Sequence, residues 1–132
     1  MNFIKMLKVG TVYRKKPRIL IVDDEQEFLN LLAPILMKRN LYVDTAKDGV
    51  EAINCFRENR HDIALIDVRM PSLNGYEVSK QIKLLNPNTE VILMTGYTSK
   101  RTIRKTVSPD IFEYLLKPIT VDKIIKNIDN AL

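Results

Sequence analysis

The sequence predicts an α/β domain, a doubly wound five-stranded parallel sheet with helices on both faces. Three observations carry that prediction. Short apolar runs recur along the chain, and longer segments with helical periodicity separate them. Several of those segments open on an acid or amide followed three residues later by Glu, the spacing of a capping box. The runs are aliphatic almost throughout, as in strands buried on both faces rather than one.

The elements follow in order. The first strand is "RILIV", residues 18–22, and it runs directly into Asp23, Asp24 and Glu25. Helix one is expected over about 25–38, capped by Asp24 with Glu27, with Phe28, Leu31, Leu32 and Ile35 facing inward. Pro34 lies inside it, removes the hydrogen bond to the Asn30 carbonyl, and is expected to kink the helix. "YVDTA" (42–46) is the second strand, followed by a helix opened by Asp48 and Glu51. "IALID" (63–67) is the third, followed by a helix opened by Asn74 and Glu77. "EVILMT" (90–95) and "EYLLK" (113–117) are the fourth and fifth, with the helical "SKRTIRKTV" (99–107) between them. Thr120 caps a last helix in which Val121, Ile124, Ile125 and Ile128 recur at helical spacing. Alternating strands and helices, right-handed crossovers and about 115 residues fit the flavodoxin-like strand order 2-1-3-4-5.

Composition excludes several classes. A chain of 132 residues with 45% hydrophobic and 28% charged residues suits one globular domain, large enough for a core without disulfides or structural metal. The single cysteine, Cys55, cannot form an internal disulfide, and nothing implies an oxidising compartment. No run approaches membrane-spanning length, and the scattered charges of "MNFIKMLKVGTVYRKK" make a poor signal peptide, so a cytoplasmic location is expected. The net charge of +5 is local: residues 1–18 hold six Lys/Arg and no acid, and the rest is nearly neutral with 15 bases and 16 acids. Two parts are therefore expected, a basic N-terminal arm over 1–17 and a domain over 18–132.

In such a sheet, chemistry sits at the carboxyl ends of the strands beside the switch point. Strand one ends in Asp23 and Asp24, strand three in Asp67, strand four in Thr95 and strand five in Lys117. Three acids, a hydroxyl and an amine thus fall on one rim. Gathered carboxylates suit a hard cation such as Mg²⁺. Asp67 is then a candidate nucleophile for a phosphoryl group, with Thr95 and Lys117 as partners for the phosphoryl oxygens. Each residue alone has a simpler account: helix-capping charge for Asp23, Asp24 and Glu25, a turn former for Asp67, a satisfied hydroxyl for Thr95, a snorkelling amine for Lys117. Their coincidence at matching strand ends favours the site. His61, the single histidine, reads as a loop residue with no evident partner for nucleophilic catalysis.

From Arg18 to Leu132 the chain resembles the receiver domain of two-component response regulators, through "ILIVDDE", "ALIDVRMPSLNGYE", "VILMTGY" and "YLLKPIT". The resemblance implies that Asp67 accepts phosphate from a histidine kinase or phosphotransfer protein. It implies Mg²⁺ held by Asp24, by Asp23 largely through water, by Asp67 and by the backbone carbonyl of Arg69. Thr95 and Lys117 would bind the phosphoryl group, and the Lys117–Pro118 peptide would be cis. Thr95 would move toward the phosphate and let Tyr114 turn inward, remodelling the face made by the fourth helix, fifth strand and fifth helix. The chain departs from the family before strand five, where Pro109, Asp110 and Ile111 replace small residues. Gly96 leaves the phosphoryl site open, and Arg69 and Tyr97 flank it and tune the lifetime of the phosphate.

Lys100, Arg101, Arg104 and Lys105 lie within two turns of the fourth helix. A solvated face accounts for them, with an acidic partner or a salt-bridged homodimer as the alternative. Direct nucleic-acid binding is not expected, because no helix-turn-helix, RNA-binding or zinc pattern accompanies the charge. A phosphatase of the haloacid dehalogenase type also uses an aspartyl phosphate, but it needs an acid two residues after the nucleophile, where this chain has Arg69, and a cap insertion that is missing. A scaffold-only receiver would require lost site residues, and none is lost. The expected protein is a switch that helps catalyse its own phosphorylation and dephosphorylation, not a turnover enzyme.

Overall fold

The computed structural model describes residues 16–71, 73–96 and 110–132. Strands β1 (Arg18–Val22), β2 (Tyr42–Ala46), β3 (Ile63–Asp67), β4 (Glu90–Thr95) and β5 (Ile111–Leu116) form one sheet in the order β2-β1-β3-β4-β5. Every neighbouring pair is parallel. Helices α1 (Gln26–Met37), α2 (Gly49–Asn59), α3 (Gly75–Leu85) and a C-terminal helix (Val121–Ala131) cover it. The expected strand order and the first four strands are observed as read. β5 opens earlier than "EYLLK", at Ile111, and stops before Lys117. The expected fourth helix with its cations, Tyr97, Pro109 and residues 1–15 of the arm lie outside the described residues.

Period-2 alternation divides the aliphatic strands between two cores. Ile19 and Ile21 of β1 join Leu65, Met94, Leu32 and Ile124 on the side of α1 and the C-terminal helix. Leu20 and Val22 join Ile66, Leu93, Phe56 and Ile82 on the side of α2 and α3. The central strands β1, β3 and β4 are buried on both faces and carry no polar alternation, whereas the edge strands β2 and β5 are partly exposed.

Helix α1 differs from expectation in two respects. Its buried stripe is Leu29, Leu32, Ala33 and Leu36, and Leu31 is 57% exposed. The apolar segment from Phe28 to Leu36 offers two stripes one residue apart with the same spacing, and periodicity alone cannot separate them. As expected, the helix contains Pro34. Pro34 and Asn30 are both exposed, so solvent reaches the carbonyl that lost its donor. Asp24 does not cap the helix: the N-cap is Glu25, with no side-chain cap hydrogen bond. Asp23 takes the Glu25 N–H instead, at 2.9 Å, and Asp24 is left exposed. The other expected caps form, with Asp48 accepting from Glu51 N–H, Asn74 from Glu77 N–H and Thr120 from Lys123 N–H. Each stabilises its helix start by about 1 kcal/mol.

Candidate functional site

The parallel sheet delivers the polar strand ends to one rim. Asp23 follows β1 with its N–H donating to the Ala46 carbonyl of β2 at 3.1 Å, so it continues the ladder and is fully buried. Asp67 is the last residue of β3 and is 5% exposed. Thr95 closes β4 and is buried. Lys117 follows β5, and its N–H donates to the Thr95 carbonyl at 2.7 Å. Its Nζ lies 3.2 Å from Asp23 Oδ2, 3.6 Å from Asp67 Oδ2 and 3.7 Å from Glu25 Oε1. The Lys117–Pro118 peptide is cis, matching the expectation.

Asp23, Asp24 and Asp67 each present a carboxylate oxygen within 4.8 Å of the other two. One ammonium does not offset three acids in so small a space. Burial pushes the Asp67 carboxyl up to about 6; Lys117 opposes this, while Asp23 and Asp24 add to it. Burial works against the Lys117 ammonium, but Asp23 and Asp67 outweigh it and hold its pKa above the ordinary value. The surplus of negative charge, the all-oxygen donor set and the exposed Asp24 fit a hard divalent cation.

The loop after β3 shapes the entrance. Val68 N–H donates to the Met94 carbonyl at 2.8 Å and Gly75 N–H to the Val68 carbonyl at 2.9 Å, which draws the start of α3 onto the end of β3. A Cβ at Gly75 would overlap the Asp67 carbonyl oxygen, so this approach requires glycine. Arg69 N–H points at Asp67 Oδ1 from 3.5 Å, too long for a strong hydrogen bond. A cleft of about 450 Å³ opens between Asp24 and this loop, lined by Arg69, Met70, Asn74 and Tyr76 among others. Among the described residues, a Cβ at Gly96 would meet Lys117 Cδ alone, at 3.9 Å. Tyr114 is half-buried on β5, paired in register with Leu93, and packs against the α2 and α3 core.

All the sequence-derived candidates therefore stand on one rim except Tyr114, which lies behind it. Two features were missed. Glu25 joins the Lys117 cluster, although its place beside two acids was visible. His61 occupies a loop as expected but is fully buried, with Nε2 2.7 Å from Asp44 Oδ2. Asp44 stands on the edge strand β2 with its side chain 36% exposed, where an acid is ordinary, so the sequence carried no signal for that pair.

A doubly wound sheet with an acidic pocket and a lysine on one rim defines an α/β domain with a candidate cation site at its switch point. Residues 19–129 match the response regulator receiver domain family, and the chain belongs to it. It is 34% identical over 114 residues to the transcriptional regulatory protein ZraR of Escherichia coli (strain K12), covering 86% of this chain and 26% of that protein. It is 30% identical over 107 residues to sporulation initiation phosphotransferase F of Bacillus subtilis (strain 168), covering 81% and 86%. The chain thus spans about a quarter of ZraR but most of the shorter relative. Among solved structures, a response regulator receiver domain protein from Clostridium thermocellum superposes with a TM-score of 0.80 at 32% identity, covering 87% of this chain and 93% of that one. Response regulator TrrA from Thermotoga maritima, in complex with Mg(2+)-BeF, does so with 0.77 at 31%, covering 88% and 99%. The protein is a receiver domain of two-component signalling, a phosphoacceptor family served by histidine kinases or phosphotransfer proteins. No helix among the described residues is long and apolar enough to cross a membrane.

Proposed function

We propose that this receiver domain accepts a phosphoryl group on Asp67 in an Mg²⁺-dependent reaction and relays the event to its β5 side. The observation that carries the reading is a buried Asp67 at the end of β3, flanked by two further acids and the Lys117 ammonium. Asp23, Asp24, Asp67 and the Arg69 carbonyl hold the cation. When bound, it neutralises charge between the carboxylate and the incoming phosphoryl group. An Asp67 oxygen forms the new bond to phosphorus while the N–P bond of a donor phosphohistidine breaks and its electron pair returns to the imidazole. The Lys117 ammonium, 3.6 Å from Asp67, is placed to pair with a phosphoryl oxygen, and the Thr95 hydroxyl takes another. The domain lowers the barrier to its own phosphorylation and hydrolysis and is not a turnover enzyme.

Tyr114 is the switch residue beyond Thr95. It lies on the strand adjacent to Thr95 and is half-buried, so a change at Thr95 reaches it across one strand pair. The face containing β5 and the C-terminal helix then meets an effector domain, a partner protein or a second copy, without direct contact to nucleic acid. Beryllofluoride, which stands in for the phosphoryl group, tests the site. With Mg²⁺ it is expected to bind the wild-type chain and to perturb Tyr114 signals in NMR spectra. Binding that persists in Asp67→Asn, or without Mg²⁺, contradicts the assignment.

A further inference from the structure

Lys117 is already surrounded by acids where an incoming anion must meet it. Its ammonium lies 3.2 Å from Asp23 Oδ2, 3.6 Å from Asp67 Oδ2 and 3.7 Å from Glu25 Oε1. The Phe28 ring closes a further side, its centroid 5.5 Å from Nζ. A phosphoryl oxygen that pairs with Lys117 therefore competes with carboxylates already in place.

The three acids differ in how readily they yield. Asp23 is fully buried and fixed through both oxygens: Oδ2 accepts from Lys117 and Oδ1 accepts the Glu25 N–H at 2.9 Å. Asp67 is 5% exposed and is itself the residue assigned to carry the phosphoryl group. Glu25 stands apart. Its side chain is 70% exposed, so its carboxylate swings into water at little cost. It is the N-cap of α1, yet its side chain makes no cap hydrogen bond. Among the described residues, Lys117 is its one ion-pair partner.

We propose that Glu25 is a positioning residue that occupies Lys117 in the resting domain and yields it to the phosphoryl group, a role that rests on Asp67 as the phosphoacceptor. At rest Glu25 holds the ammonium toward the mouth of the site. When a phosphoryl oxygen arrives, Lys117 exchanges one anion for another, and the Glu25 carboxylate turns out to solvent. No bond to phosphorus involves Glu25; it acts through Lys117 alone. Its charge therefore sets how tightly the site grips a phosphoryl group. The same charge lies beside Asp24 and attracts Mg²⁺, which acts in the opposite direction. Saturating Mg²⁺ isolates the competition for Lys117.

Beryllofluoride titration of the intact chain at saturating Mg²⁺, followed through the NMR signals of the Lys117 side chain, tests the exchange. Glu25→Gln keeps the shape and removes the charge. It is expected to bind beryllofluoride about threefold more tightly than wild type, the scale of a partly exposed ion pair. Before beryllofluoride is added, the substitution is expected to shift the Lys117 signals. At saturation, wild type and variant are expected to share them, because Glu25 has left. Glu27→Gln removes another exposed acid of the same first turn, one not paired with Lys117, and is expected to match wild type. A role for Glu25 in the helix start alone would move the melting temperature and leave beryllofluoride affinity unchanged. Unchanged affinity in Glu25→Gln, or equal tightening in Glu27→Gln, overturns the exchange and leaves the Asp67 assignment standing. A wild-type chain that binds no beryllofluoride overturns that assignment, and the exchange with it.

Discussion

At the rim, three carboxylates share one ammonium; beneath it, one carboxylate meets one imidazole. Burial acts on both clusters with opposite results. At the rim it pushes the Asp67 carboxyl up to about 6; Lys117 offsets part of this, and a second and a third acid in the same space add to it. Beneath it, burial pushes His61 below its ordinary value despite the Asp44 carboxylate. That pair settles into a hydrogen bond with a neutral ring. The difference is stoichiometry of charge. The rim keeps an unresolved surplus that a cation or a proton must relieve, whereas the lower pair relieves its own.

Lys117→Ala tests the surplus most severely. It leaves Asp23 and Asp67 without their cation and is expected to cost about 3 kcal/mol of stability at neutral pH in chelator. Chemical denaturation measures it, and added Mg²⁺ is expected to restore more stability to the variant than to wild type. No change on Lys117→Ala breaks the comparison. Asp67→Asn acts in the other direction and is expected to stabilise the chelated domain by about 2 kcal/mol at pH 7. The folded pKa, about 6, lies above the ordinary 3.8. The wild-type fold therefore holds its proton more tightly than the unfolded chain and gains stability as pH falls from about 6 to 4. The advantage of the variant is expected to vanish over that window; a gap that persists at pH 4 assigns the effect elsewhere.

The lower pair is expected to respond weakly. Asp44→Asn keeps an acceptor for the neutral His61 ring, so a loss of about 1 kcal/mol is expected, constant from pH 7 to 8. A larger loss would mean that the imidazole is charged. Arg69→Ala sharpens the rim alone. It removes an exposed side chain at the mouth of the cleft and is expected to change the half-life of the phosphorylated form a few-fold while leaving the melting temperature alone. An unchanged half-life refutes a role for Arg69.

Those contrasts mirror what was legible in the sequence. Strand ends are local, so Asp23, Asp67, Thr95 and Lys117 could be placed on one rim once the strand order followed from alternation and handedness. Side-chain competition is not local. Asp24 has the spacing of a cap, but Asp23 reaches the Glu25 N–H first and leaves Asp24 facing the cleft. The stripe of α1 was misread by one position because the run from Phe28 to Leu36 supports two equivalent faces and only docking against β1 selects one. The meeting of Asp44 with His61, 17 residues apart in sequence, depends on how α2 packs across β2, which no short-range pattern encodes.

The central claim is that Asp67 is the phosphoacceptor, and intact mass spectrometry tests it most directly. The wild-type chain and Asp67→Asn are incubated with acetyl phosphate, with Mg²⁺ or with chelator. One phosphoryl adduct is expected on the wild type with Mg²⁺, and none without the metal or in the variant. An adduct that survives Asp67→Asn, or a wild-type chain that takes none, contradicts it.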